Sequence, residues 1–296
     1  MSIIVPERTG CCRTGKIPGQ ERSVCVKVTV LVDNLPSGNL ACEWGLSFYI
    51  CYGEMKILLD MGQSGKFAEN AKALGIDLAD VDYAVLSHAH YDHADGMAYF
   101  FEQNEKAKLF IRAGSAENCY GLNDEGQEHY IGIGRGLLGQ FADRITYVDV
   151  FHTLADGVYL VGHTTKGLDE AGRRAGMRVV EGGVFRSDCF AHEQTLVFAL
   201  PEGLAVFNSC SHTGPEVIIR EVMARFPGMR ILAYFGGLHL FASTPDYVRR
   251  MANFLADTDV GHIYTGHCTG DEAYAILRET LGDRVTQFSS GFEVTL

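Results

Sequence analysis

Alternation opens the ordered part of the chain. Val26, Val28, Val30 and Val32 alternate with Lys27, Thr29 and Leu31, which predicts a strand with one buried face. Phe48 to Tyr52 and Met55 to Leu59 are two further apolar runs separated by Gly53-Glu54, and glycine at the first central position suits a type II′ hairpin. Asp60-Met61-Gly62 leads into a helical pattern through Asn70, Ala71 and Leu74, closed by Gly75. A buried strand follows at Tyr83 to Ser87, then a polar loop, then a short helical pattern through Met97, Tyr99 and Phe100.

The second half repeats this plan. Thr195 to Leu200 and Leu204 to Phe207 flank Pro201-Glu202-Gly203 as a second hairpin. Pro215 begins a helix whose Ile218, Val222 and Phe226 form one stripe, and Pro227-Gly228 ends it. A strand at Ile231 to Phe235 precedes a helix with Thr244 as N-cap, carrying Tyr247, Met251, Phe254 and Leu255. Gly261 to Thr265 is one more strand before a helix from Asp271. Two such halves imply two mixed sheets packed face to face with helices outside, an α/β four-layer αββα sandwich. One domain is expected over residues 25–296, after an N-terminal extension (1–24) expected to be poorly ordered. A glycine-rich interruption at about 113–184 is expected to fold over the site as a lid, with Arg135, Arg173, Arg174 and Arg178 as candidate anion contacts or as a solvated basic face.

The chemistry sits at strand ends. His88-Ala89-His90-Tyr91-Asp92-His93 follows the Tyr83 strand directly, and neutral imidazole with carboxylate is a donor set for Zn, Fe(II) or Mn. His212 and His267 also fall just past predicted strands and before helices, the edge at which open α/β sheets bind ligands. One histidine so placed is usually structural; three, one with His90, Asp92 and His93 beside it, point to metal.

Charge and composition narrow the partners. The 296 residues are 47% hydrophobic and carry a formal net charge of -12. An acidic chain without a basic run disfavours DNA or RNA, and no apolar stretch approaches the roughly 20 residues of a membrane span. The first residues lack the apolar core of a secretory signal, so a cytoplasmic protein is expected. Nine cysteines without regular spacing suggest reduced thiols and no disulfide framework; Cys11-Cys12 is a frayed tail or a metal pair.

Taken in order, these segments resemble the metallo-β-lactamase superfamily. The motifs are Leu59-Asp60-Met61-Gly62, His88 to His93, Cys210-Ser211-His212 and Gly266-His267. Asp33-Asn34, Gly45 to Phe48, Gly62 to Ser64, Gly236 to Leu240 and His267 to Gly270 extend the likeness to its dihydropterin-synthase-like branch of metal-dependent hydrolases. The resemblance implies His88 and His90 on a first metal, with His212 as its third donor, and Asp92, His93 and His267 on a second. It puts Cys210 at the bridging position, as a zinc-favouring thiolate or else a buried inert thiol. It casts Asp60 as the carboxylate that orients a ligand histidine; His239 is a candidate substrate or metal contact. His163 and His192 are read as non-ligands. The expected activity is hydrolysis of a phosphoester or phosphodiester through a metal-bound hydroxide, with one or two divalent ions (zinc first, iron or manganese next), Asp92 as catalytic residue, and a small anionic substrate containing phosphate or a pterin. The alternatives are a transferase joining a dihydropterin diphosphate to a ribosyl-aminobenzene phosphate, and a metal-occupied binding or sensing module without turnover.

Overall fold

The computed structural model describes residues 25–296; the expected N-terminal extension and Cys11-Cys12 lie outside the described residues. Two seven-stranded sheets carry the fold. The first contains β1 (Val26–Val32), β2 (Ser47–Tyr52), β3 (Met55–Leu59), β4 (Tyr83–Val85), β5 (Lys108–Arg112), β8 (Ile145–Val148) and β18 (Glu293–Thr295), in the order β18-β1-β2-β3-β4-β5-β8. The second contains β9 (Phe151–Ala155), β10 (Val158–Gly162), β13 (Gln194–Leu200), β14 (Gly203–Phe207), β15 (Ile231–Phe235), β16 (His262–Thr265) and β17 (Val285–Gln287), in the order β17-β16-β15-β14-β13-β10-β9. Read from β18 and from β9, both sheets run through three antiparallel pairings and then three parallel ones. The duplicated plan is therefore real at the level of pairing.

Three apolar clusters define the layers. Val28, Phe48, Ile50, Leu59, Phe198 and Phe207 pack between the sheets. Leu58, Phe67, Met97 and Phe100 fill the space between the first sheet and its helices, while Val206, Val222, Met251 and Leu277 do so for the second. Because helices cover its outer face, β1 is buried on both faces, not one: Thr29 and Leu31 are as enclosed as Val30. A register shift between Val30 and Val32 then moves Val32 from the inner to the outer layer, beside Leu31.

Local chemistry explains the joints. Gly53 takes φ 59° in the two-residue hairpin loop. Thr244 caps the helix Pro245–Ala256 by accepting from the Tyr247 N–H, and Pro215 opens Pro215–Arg225. Strands β17 and β18 have no counterpart in the pattern reading; both are short, and pairing partners far away in sequence order them.

The stretch 113–184 is two pieces, not one insertion. Ile145 to Gly162 supplies β8, β9 and β10 to the main sheets. The remainder builds a small sheet, β12-β11-β6-β7, from β6 (Tyr120–Leu122), β7 (Glu128–Tyr130), β11 (Met177–Glu181) and β12 (Val184–Ser187). Glycines on both sides of Ile145 to Gly162 made the whole stretch read as one insertion. Cys42, Cys119, Cys189, Cys210 and Cys268 are free thiols. Cys25 is disulfide-bonded, against the expectation that all thiols are reduced; irregular spacing says nothing about a single pair. No helix among the described residues is long and apolar enough to cross a membrane.

Phe48 meets Phe207 and Phe288 edge-on at 5.9 and 5.5 Å, joining the two sheets. Phe48→Ala should cost about 3–5 kcal/mol in chemical denaturation; a loss below about 1 kcal/mol would show that the inter-sheet layer does not carry the fold.

Candidate metal centre

Strands β3, β4, β14, β15 and β16 end at a common edge, and each chain elbow there delivers a polar side chain. The backbone is bent hard to do so. Among the described residues, the non-glycine positions with positive φ are Asp60 (61°), Phe190 (54°), Ser211 (56°), His239 (50°) and His267 (43°). Asp60 follows β3, Ser211 follows β14, His239 follows β15 and His267 follows β16, while the Phe190 ring stacks on His212 at 5.1 Å. Left-handed backbone at such residues costs on the order of 1 kcal/mol or more each and clusters where function demands it.

Hydrogen bonds assign the imidazole tautomers. Asp60 accepts from the Ser87 N–H (2.7 Å), the Ser87 hydroxyl (2.7 Å) and His93 Nδ1 (2.8 Å). The Ser87 hydroxyl, spent as a donor on Asp60, accepts from His88 Nδ1 at 2.7 Å. His267 Nδ1 donates to Asn34 Oδ1 at 2.9 Å, and Asp33 accepts the His267 N–H at 2.7 Å. In all three rings Nδ1 carries a proton and Nε2 faces the site. Asp60 thus orients His93 directly and His88 through Ser87.

Two donor sets result. His88, His90 and His212 bring nitrogens within 4.8 Å of one another; Asp92, His93 and His267 do the same. Cys210 belongs with both, since its sulfur groups with His88 and His93 and again with His267 and Cys268. His93 Nε2 lies 3.1 Å from Cys210 Sγ and 3.6 Å from Asp92 Oδ2. His88 Nε2, His90 Nε2, His267 Nε2 and both His212 nitrogens are buried without a hydrogen-bond partner among the described residues. Unpaired, converging ring nitrogens of this kind fit a divalent cation, the group that the sequence resemblance implies.

The electrostatics prepare the donors. Burial, with neighbouring imidazoles, holds His88 and His212 well below the ordinary histidine value, and burial beside His192 takes His90 down to about 3. These rings are neutral donors. Burial opposes the charge on Asp92, yet His93 and His267 outweigh it and keep the carboxylate well below its usual range. For His267 burial acts downward, but Asp92 at 3.5 Å and the nearby acidic groups lift it to about 9. Metal binding here displaces a proton.

Other expected residues divide. His239 sits 4.4 Å from the His212 ring and lines the cavity. His163 is turned away, donating to the Phe190 carbonyl at 2.8 Å. His192 stands behind the site, in a group with His90, Cys119 and Asp188. Glu193, which sequence reading missed, accepts from the His212 N–H (2.7 Å), the Thr213 N–H (3.1 Å) and the Thr213 hydroxyl (2.6 Å), holding that loop. No local signal separates it from a surface glutamate. Cys268, passed over as part of a motif, reaches the second donor set.

A cavity of about 670 Å³ opens over both sets. The small sheet and the helix Asp169–Ala175 form one wall, and Pro245–Ala256 another. Trp44 and Phe241, 39% and 51% exposed, meet edge-on at 5.3 Å at its rim, and Trp44 lies 5.2 Å from His267. Of the arginines singled out, Arg173 and Arg178 pair with Glu170 and Glu128, and Arg135 lies over Tyr130. Arg174 lines the cavity with Arg250, both guanidiniums over the Tyr247 ring at 5.9 and 5.6 Å.

The class of protein follows. Residues 45–163 match the metallo-beta-lactamase superfamily model, and the chain carries a domain of that superfamily with its αββα fold, the fold of divalent-metal-dependent hydrolases. The crystal structure of a metal-dependent hydrolase of the beta-lactamase superfamily superposes with TM-score 0.78 at 26% identity, covering 91% of this chain and 98% of that one. Two proteins of Methanocaldococcus jannaschii are similar in sequence. One is an uncharacterized protein, 25% identical over 85% of this chain and 94% of its own length. The other is 7,8-dihydropterin-6-methyl-4-(beta-D-ribofuranosyl)-aminobenzene-5'-phosphate synthase, 24% identical over 84% of this chain and 88% of its own.

Cys210→Ser should weaken zinc retention at least about tenfold in chelator competition without changing the circular dichroism spectrum, because a hydroxyl replaces a thiolate poorly; unchanged retention would assign the sulfur to packing. Acid should destabilise the chelator-stripped protein. The unfolded chain protonates His90 near 6.5 and the folded chain only near 3, so stability falls as pH drops through that window, while His267, already protonated when folded, adds no change below 6.5. Urea midpoints measured from pH 6.5 to about 5 check this, and a flat profile contradicts it.

Proposed function

We propose that this protein is a metal-dependent hydrolase of a small anionic phosphoester or phosphodiester, with His88, His90 and His212 holding one divalent ion, Asp92, His93 and His267 a second, and Cys210 between them. The observation that carries the reading is the convergence of buried, unpaired imidazole nitrogens on a cavity large enough for a small substrate. Zinc suits a set that includes a thiolate. A divalent pair, when bound, lowers the pKa of water and polarises a phosphoryl oxygen.

The chain's own residues do the remaining work. Asp92, acceptor-only as a carboxylate, offers charge compensation and an acceptor for the proton of an attacking water at the cavity floor. Asp60, Ser87 and Asn34 keep the imidazoles in register, so no reorganisation is needed as charge develops. Arg174 and Arg250 offer an anionic group a landing place away from the donors. Glu216 also lines this wall, and its carboxylate sets the limit on how much negative charge the pocket accepts. Trp44 and Phe241 cover the rim and favour a substrate with a flat apolar part.

That last feature favours a second reading, transfer in place of hydrolysis. The same cavity suits a ring system bearing phosphate, and the relative named as a dihydropterin phosphate synthase spans most of this chain. In that case the donors would face a leaving diphosphate. The binding or sensing module is the outcome if metal-replete protein turns nothing over.

Zinc-loaded protein assayed against phosphodiester, phosphomonoester, thioester and lactam substrates should cleave the phosphodiester or phosphomonoester fastest. Absence of turnover at full metal occupancy would overturn the hydrolase reading. Asp92→Asn should lower kcat by about 10² or more at matched metal content, whereas Arg174→Ala should act mainly on KM. Full activity in Asp92→Asn would remove the carboxylate from the chemistry.

A further inference from the structure

Cys119, Asp188 and His192 form, with His90 of the first donor set, a further buried group of metal-ligand types. The lone pairs of His192 and Asp188 are committed elsewhere. His192 Nδ1 accepts the Ala89 N–H at 3.1 Å, so the ring's proton is on Nε2, where it donates to Asp188 Oδ2 at 3.0 Å with Cys119 Sγ at 3.7 Å. Asp188 Oδ1 accepts the Phe190 N–H at 2.7 Å. A cation at this spot would have to displace the Nε2 proton while Nδ1 stays turned to an N–H donor. The His192–Asp188 pair is spent, and it is spent on Ala89.

Ala89 lies between two candidate donors, His88 and His90. Its carbonyl accepts from the Ile133 N–H at 3.2 Å, and the neighbouring Tyr91 N–H donates to the Ile131 carbonyl at 3.0 Å. The Ala89 N–H has no place in a sheet ladder and takes its acceptor from His192, which comes from a segment more than a hundred residues away in sequence. The His192 ring also lies 5.4 Å from His90 and 6.2 Å from His88, nearly parallel to the latter at 26°.

We propose that His192, oriented by Asp188, is a positioning residue that fixes the His88–His90 turn through the Ala89 N–H and so sets the geometry of the first donor set without itself binding metal. The inference rests on reading His88, His90 and His212 as metal donors. Partners of this kind, one bond removed from the ligands, are worth 10–100-fold in affinity.

Zinc affinity measured against a chromophoric chelator separates the possibilities. His192→Leu fills the space but offers no acceptor, and should weaken one zinc equivalent 10–100-fold while the other changes less than about threefold. His192→Asn places Oδ1 near the site of Nδ1 and should restore both equivalents to within about threefold of wild type. Wild-type affinity in His192→Leu, or equal weakening of both equivalents, overturns the positioning role; equal loss in His192→Leu and His192→Asn makes His192 a ligand and overturns it too. Wild-type protein that takes up no zinc overturns the donor reading and this inference with it. Long-range ¹H–¹⁵N spectra of the wild-type holoprotein test it without any variant: His192 should be protonated at Nε2, and a ring protonated at Nδ1 refutes the arrangement.

Discussion

Unpaired acceptor nitrogens buried at one sheet edge are the constraint around which this protein is built. His88, His90 and His212 are enclosed with ring nitrogens that have no hydrogen-bond partner among the described residues, and His267 Nε2 faces the same place beside Asp92. Each such group costs about 1–3 kcal/mol if left alone. The left-handed elbows that deliver side chains to the same place add to that cost. A structure that tolerates both at once needs a surplus elsewhere, and a cation would complete the site. The surplus comes from three apolar layers. Completion by metal would return folding free energy at the point where it is spent.

The repeated pairing order explains how one edge collects so many donors. In each seven-stranded sheet the switch from antiparallel to parallel pairing comes after the third pairing. Strands β3 and β4 of the first sheet, and β14, β15 and β16 of the second, therefore end at corresponding places, and face-to-face packing brings the two edges together. Asp60 and the His88–His93 loop arrive from one sheet, Cys210, His212, His239 and His267 from the other. The site is a product of the interface between halves, which is why the inter-sheet aromatic contacts bear on chemistry some distance away.

Around the donors stands a layer of groups whose role is to hold tautomers and loops. Asp60 with Ser87 holds the His93 and His88 rings, Asn34 with Asp33 the His267 ring and its N–H, and Glu193 the N–H groups of His212 and Thr213. This turns the Nε2 faces of His88, His93 and His267 to the site. The small sheet and the helix Asp169–Ala175 add a wall, the helix bearing Arg174, and Pro245–Ala256 adds Arg250. The metal-type donors thus sit at the ends of the main sheets, while Arg174 and Arg250 come from helices that line the cavity.

Period and punctuation in the sequence were enough to determine the two hairpins, the capped helices at Pro215 and Thr244, and the strand-end placement of His88, His212 and His267. Those features are local: side-chain alternation, proline's fixed φ and a threonine's reach to its own helix act within a few residues. The resemblance of ordered short motifs added the superfamily. Other features were decided only in three dimensions. Pairing with distant strands ordered β17 and β18; helices covering the outer face buried both sides of β1; and the two sheets claimed Ile145 to Gly162 from what read as one insertion. The roles of Glu193, Arg250 and His192 belong to the same group. Glu193 and His192 hydrogen-bond to residues 19 and 103 positions away, and Arg250 lines a cavity built from separate segments; a contact made across such a distance leaves no periodicity in the chain that makes it.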